Sequence, residues 1–151
     1  MPGSKNTWKK GRGKLGVLDP LLGSWIAHAD SPEGPITVRR TFVRVLNGSY
    51  VQLGASWELS RGSYDEVAMF GASENGLAFW SFTSDGKHAR GDLADGSDIH
   101  PQAICFEAQM PAGLGRQAYW PDEEQGVHWV VEAMSKKGWN RFVHHHYLPD
   151  V

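Results

Sequence analysis

The chain has 151 residues, of which 40% are hydrophobic and 21% charged, with one cysteine, Cys105. That length suits one domain and buries roughly 68–70% of the unfolded surface, so a core needs neither disulfides nor structural zinc. The single cysteine excludes an internal disulfide and any CxxC motif; with no apolar leader and no run of about 18 apolar residues, the expected location is cytoplasmic.

Charge is unevenly placed. Lys5, Lys9, Lys10, Arg12 and Lys14 fall in the first 16 residues without an acid, whereas every one of the 17 acidic residues lies beyond them. Residues 1–16 therefore read as a flexible basic tail and 17–151 as one folded domain. An acidic body repels a phosphate backbone, so neither nucleic acid nor a membrane is an expected partner.

Leu15 to Leu22 has the makings of a short helical stub, limited by Gly16, Pro20 and Gly23. From there the pattern is a two-residue alternation interrupted every 8 to 14 residues by turn chemistry. Pro35 to Leu46 and Ser49 to Leu59 flank Asn47-Gly48, a dipeptide suited to positive φ at both central positions of a tight hairpin. Val51, Leu53, Ala55, Trp57 and Leu59 then share one face, the expected core side. Further strands follow at Tyr64 to Gly71, Leu77 to Thr83, Lys87 to Leu93, Ala103 to Met110, Gly115 to Trp120, Val127 to Met134 and Trp139 to Leu148. Short links between them make a meander, and a sheet of about ten strands curls on itself. The expected fold is all-β: a single antiparallel up-and-down barrel of about ten strands with a short N-terminal helix.

Leu21-Leu22-Gly23-Ser24-Trp25 resembles the Gly-x-Trp signature of lipocalins and the wider calycin group. That resemblance implies a short helix closing one end of the barrel, with the tryptophan packed over it. Arg39-Arg40, Gly48-Ser49-Tyr50-Val51 and the Phe70-Gly71 to Phe79-Trp80 hairpin extend it to a bacterial lipocalin-like family of unknown function, across residues 17–149. An internal cavity is implied. The chain is more distantly similar to nitrobindin, a ten-stranded calycin barrel that holds haem through a histidine on its last strand. Aligned back from Tyr147, that ligand position falls on Phe142, and His144 lies two residues later on the same strand face. The resemblance thus implies His144 or His146 as an alternative haem ligand.

Trp57, Trp80, Phe82, Phe106, Trp129 and Phe142 lie on strands, where they either fill a core or line a cavity for a small apolar or amphipathic molecule. Arg40 alternates with Val38 and Phe42, so it is either an outward arginine paired across strands or a buried cation meeting a ligand's polar end. His144 is the second expected polar contact. In His144-His145-His146 the outer two share a face with Phe142 and Leu148, and His145 shares the other with Val143 and Tyr147. A pair at i, i+2 can chelate a metal but normally needs a third protein ligand. His28, His88, His100 and His128 stand at no diagnostic spacing, so no metal site and no cofactor are expected. His88 and Arg90 share a face that could line a barrel mouth. GxSxG, GxxxxGK[ST], HExxH and GxGxxG are absent and Cys105 reads as a packed thiol, so no catalytic residues are assigned and ligand binding is the expected role rather than catalysis. Val43, Val45 and Val130 would be the apolar patch of a homodimer.

Overall fold

Closing the sheet on itself gives every strand an inward face to bury. The computed structural model describes residues 8–151. A 3₁₀ helix, Lys14–Leu21, precedes β1 (Gly23–Ser31), β2 (Gly34–Val45), β3 (Tyr50–Leu59), β4 (Gly62–Ser73) and β5 (Gly76–Thr83). β6 (His88–Ala94), β7 (Ile104–Met110), β8 (Gly113–Pro121), β9 (Val127–Ser135) and β10 (Gly138–Pro149) complete the chain. Every strand pairs antiparallel with its sequence neighbours. β1 and β10 close the barrel through Trp25↔Pro149 and Ile26↔Leu148. This is the expected all-β, calycin-type up-and-down barrel of ten strands with one short helix.

The helix plugs one end. Leu15, Leu18 and Leu21 are buried in the core, and the Trp25 indole N–H donates to the Leu21 carbonyl at 2.8 Å. Arg44 reaches back to the helix, donating to Asp19 at 2.9 Å. Residues just ahead of the helix, within the stretch expected as a tail, are laid against the barrel. The Trp8 indole N–H donates to the Gln102 carbonyl, the Gly11 N–H to the Gly16 carbonyl, and Trp8 packs against the core. Lys5 and the rest of residues 1–7 lie outside the described residues.

The β2–β3 connection departs from a two-residue turn. Pairing ends at Val45↔Tyr50, leaving four loop residues, and φ is positive at Leu46, Asn47 and Gly48 (53°, 57° and 78°). Asn and Gly tolerate that region, but Leu46 does so against the clash of its own Cβ.

The long link between β6 and β7 folds over the outer wall. It covers an apolar cluster of Cys105, Ala118 and Val130, with Ala94, Ile99, Ala103 and Trp120 around it. Arg116 pins the link, donating to both Asp98 oxygens at 3.0 and 2.7 Å and to Glu132 at 2.8 Å. Val130 is thereby fully buried, so it cannot join exposed Val43 in the dimer patch expected from sequence. Among the described residues, no helix is long and apolar enough to cross a membrane.

Candidate functional site

The interior divides into a filled half beneath the helix and an open half at the other end. In the filled half, Phe42, Tyr119, Val127 and Tyr147 are buried around Arg40, which is 1% exposed. Arg40 faces inward with Val38 and Phe42, and its Nη2 donates to the Tyr119 hydroxyl at 2.6 Å. Nε and Nη1 have no hydrogen-bond partner among the described protein residues. Its guanidinium lies over the rings of Trp129, Tyr119 and Tyr147 at 4.3, 5.6 and 5.9 Å, so aromatic faces take the place of a carboxylate. Burial opposes the charge, whereas the Glu66 carboxylate and the hydrogen bond to the Tyr119 hydroxyl favour it, and the guanidinium's pKa is held above its ordinary value. Burial likewise raises the Tyr119 and Tyr147 hydroxyls above the usual phenol range, leaving both neutral.

The open half holds a cavity of about 490 Å³. Its walls are Trp57, Tyr64, Phe79, Phe106 and Trp129, and its polar lining includes Glu66, Ser81 and Gln117. The space exists because a band of small inward residues runs across five strands. Ser81 lies opposite Ala89, Ala108 opposite Gly115, and Gly115 opposite Ala133. Adjacent aromatic rings are held in tilted and edge-on contacts: Phe79 and Phe106 at 5.5 Å, Trp57 and Trp129 at 6.3 Å. Glu66 accepts the Ser81 hydroxyl at 2.6 Å, and the Gln117 side-chain oxygen accepts the Trp129 indole N–H at 3.0 Å. At the rim, Met110, Met134 and Phe142 are exposed beside Lys87 and His88, so the mouth carries both apolar and basic groups.

Trp57, Phe106 and Trp129 point into the cavity, and Phe142 reaches its rim although it is 60% exposed. Arg40 is interior but sits behind Trp129 rather than on the lining. Trp80 and Phe82 are corrections. In β5, Leu77, Phe79 and Ser81 face inward, which turns Trp80 onto Arg90 at 5.5 Å and leaves Phe82 exposed on the outer wall. His88 lies at the mouth, while Arg90 points outward with Trp80.

His144 is also a correction. Register shifts between Arg141 and Val143, a bulge at Phe142, and beyond it His145 lies opposite inward Trp129 and Tyr147 opposite inward Val127. His144 and His146 therefore project from the outer wall, opposite Val130 and His128. Neither can ligate a haem held inside the barrel. The inward histidine, His145, is packed between Trp57 and Trp129 at 5.0 and 5.4 Å, with Nδ1 3.2 Å from the Tyr147 hydroxyl. Burial, aided by the Arg40 charge, pushes its pKa down to about 4, so the ring is neutral.

Sequence reasoning did not single out Glu66, Ser81 and Gln117. Glu66 was detectable in principle, since it stands two residues before Ala68 and four before Phe70 on one strand face. Ser81 carried no such signal, because both faces of β5 are largely apolar. No protein-family model matches the chain, and no curated protein sequence matches it.

Proposed function

We propose that the chain binds one small, largely apolar or amphipathic molecule in the open half of the barrel. The observation that carries this reading is the cavity itself: about 490 Å³ kept open between aromatic walls by a band of Ser, Ala and Gly. That volume falls in the range of small-molecule pockets, which pair apolar walls with a few polar groups that set orientation. The ligand body lies against Trp57, Phe106 and Trp129, and its polar end meets Glu66, Ser81 and Gln117. Arg40 contributes through its field from behind Trp129 rather than by contact. The lipocalin-like resemblance and the single buried cysteine support a binding role in the cytoplasm.

The test is a fluorescence titration with the neutral apolar probe N-phenyl-1-naphthylamine, comparing the native chain with Gly115→Phe. Gly115 lines the cavity, and a Cβ there meets its nearest neighbour, the Glu132 carbonyl oxygen, at an ordinary 3.6 Å, so a phenyl group can enter the space without displacing backbone. Saturable one-to-one binding with a blue shift is expected for the native chain, and its loss in Gly115→Phe. Equal binding by both proteins, or none by either, overturns the reading. A parallel haemin titration should show no Soret change that depends on His144 or His146.

A further inference from the structure

Three imidazoles and a carboxylate meet on the outer wall at the helix-plugged end, on the far side of the barrel wall from the core. His146 on β10 lies directly opposite His128 on β9, and His144 shares their outer face. Asp122 arrives from the turn between β8 and β9. Its Oδ1 is 2.7 Å from His128 Nε2 and 3.8 Å from His146 Nε2. One ligand atom from each of Asp122, His128 and His146 lies within 4.8 Å of the others, and the two imidazoles stack with centroids 4.6 Å apart.

The turn is built to hold Asp122 there. The carboxylate accepts the backbone N–H groups of Glu124 and Gln125 at 3.0 and 3.2 Å. Gly126 then brings the backbone against β10 at φ 88°; a Cβ at this position would fall 2.1 Å from the Tyr147 carbonyl oxygen. Trp120 stacks on the other side of His128, with centroids 5.3 Å apart, and fixes that ring. Arg141, the neighbouring cation, is occupied by Glu132 at 2.9 Å.

We propose that Asp122, His128 and His146 bind a divalent transition cation of the zinc class, with His144 as a positioning residue. Two imidazoles and one carboxylate, with a water at the fourth position, make a tetrahedral set of the type zinc adopts when three protein ligands bind it. Imidazole donors select Zn²⁺, Cu²⁺ or Ni²⁺ over the all-oxygen cations. Metal–ligand bonds of about 2.0–2.1 Å place tetrahedral ligand atoms roughly 3.4 Å apart. The 2.7 Å contact must open and the 3.8 Å contact close, each by under about 1 Å, the two stacked imidazoles must tilt so that their in-plane lone pairs converge, and His146 exchanges its bond to the Gln125 carbonyl for the metal. His144 Nε2 lies 3.0 Å from His128 Nδ1. With the proton on Nδ1 and directed at His144, the Nε2 lone pair of His128 faces the site, the arrangement by which outer partners orient a ligating histidine.

The test uses the full chain without an affinity tag. It is titrated with Co²⁺, read in the visible d–d bands, and with Zn²⁺ in competition against a chromophoric chelator. One equivalent should bind. His128→Ala and His146→Ala should each weaken binding at least tenfold, Asp122→Asn should weaken it, and His144→Gln should cost about tenfold while keeping one-to-one stoichiometry. His28→Ala should change nothing. Thermal melts with and without Zn²⁺ guard against a misfolded variant: His146 is 43% exposed in its side chain, so His146→Ala should melt like the metal-free native chain and lose the zinc-dependent rise. No stoichiometric binding, or binding indifferent to His128→Ala and His146→Ala, overturns the proposal.

Discussion

Replacing Tyr119 with phenylalanine removes one oxygen and, with it, the hydroxyl partner of a fully buried cation. Arg40 Nη2 donates to that hydroxyl at 2.6 Å, and Nε and Nη1 have no hydrogen-bond partner among the described protein residues. A hydrogen bond to a charged group is worth about 1.5–3 kcal/mol, and Arg40, 1% exposed, has no access to bulk water to replace it. Tyr119→Phe should therefore destabilise the chain by about 2–3 kcal/mol, lowering Tm by roughly 4–12 °C for a domain of this size. The ring stays, so the contacts with Phe42 and Trp129 at 5.7 and 6.4 Å stay with it, and the loss belongs to the hydroxyl.

Arg40→Met separates this account from a simple packing effect. It takes the charge out of the core and leaves the Tyr119 hydroxyl as the buried group lacking its partner. On that background Tyr119→Phe removes an unsatisfied hydroxyl and should cost nothing or stabilise slightly. Urea unfolding of the four proteins, followed by far-ultraviolet circular dichroism with m-values checked for equality, gives the coupling directly. A coupling of about 2 kcal/mol or more is expected. Equal losses in both backgrounds, within about 0.5 kcal/mol, would refute the claim that the Tyr119 hydroxyl acts by satisfying Arg40.

Leu46→Gly should stabilise the chain by about 0.5–1 kcal/mol in the same assay, because relief of a left-handed conformation costing about 1–2 kcal/mol exceeds the added unfolded-state entropy, and Leu46 is 66% exposed. A destabilised variant would show that the exposed leucine makes contacts that matter more than its backbone strain. Burial pushes the Cys105 thiol up to about 12, against about 8.5 when unfolded. The unfolded chain thus sheds this proton first; Cys105's contribution is full below about pH 8.5 and declines as pH rises towards 12, by at most about 1.4 kcal/mol per unit. Relative to Cys105→Ala, native stability should fall by about 1–2 kcal/mol between pH 7.5 and 10, and a thiol reagent at pH 8 should label the chain only on unfolding. A pH-independent difference would contradict the burial argument.

Strand positions were legible because each strand boundary coincides with Gly, Asn, Asp or Pro, and the meander followed from links too short to cross the sheet. Facing was legible where only one side of a strand is apolar, as in β3, whose Val51, Leu53, Ala55 and Trp57 all turn inward. It was not legible in β5, where Phe79 and Ser81 compete with Trp80 and Phe82 for the interior and only pairing with Phe70 and Ala68 decides. In β10 the three histidines carry no alternation, and Phe142, the neighbouring apolar marker, sits on the bulge that interrupts it. One inserted residue was enough to move His144 outside. The same pairing brings His128 opposite His146, a proximity across 18 positions that no spacing rule anticipates.

Trp129 is the partition between the two halves of the interior. One side of its ring carries the Arg40 guanidinium at 4.3 Å, and its edge and indole N–H belong to the cavity, held by Gln117. A ten-stranded barrel is too wide for its own side chains to fill at both ends, and here the helix leucines and the long Arg40 side chain fill one end only. The other end is walled by large rings but floored across β5 to β9 by Ser81, Ala89, Ala108, Gly115 and Ala133. Stability and cavity volume therefore draw on different residues. Tyr119→Phe perturbs the filled half and should leave the cavity's size alone, whereas Gly115→Phe fills the cavity without touching the buried cation. That separation allows the interior to remain open at one end while the packed half holds the strands in register.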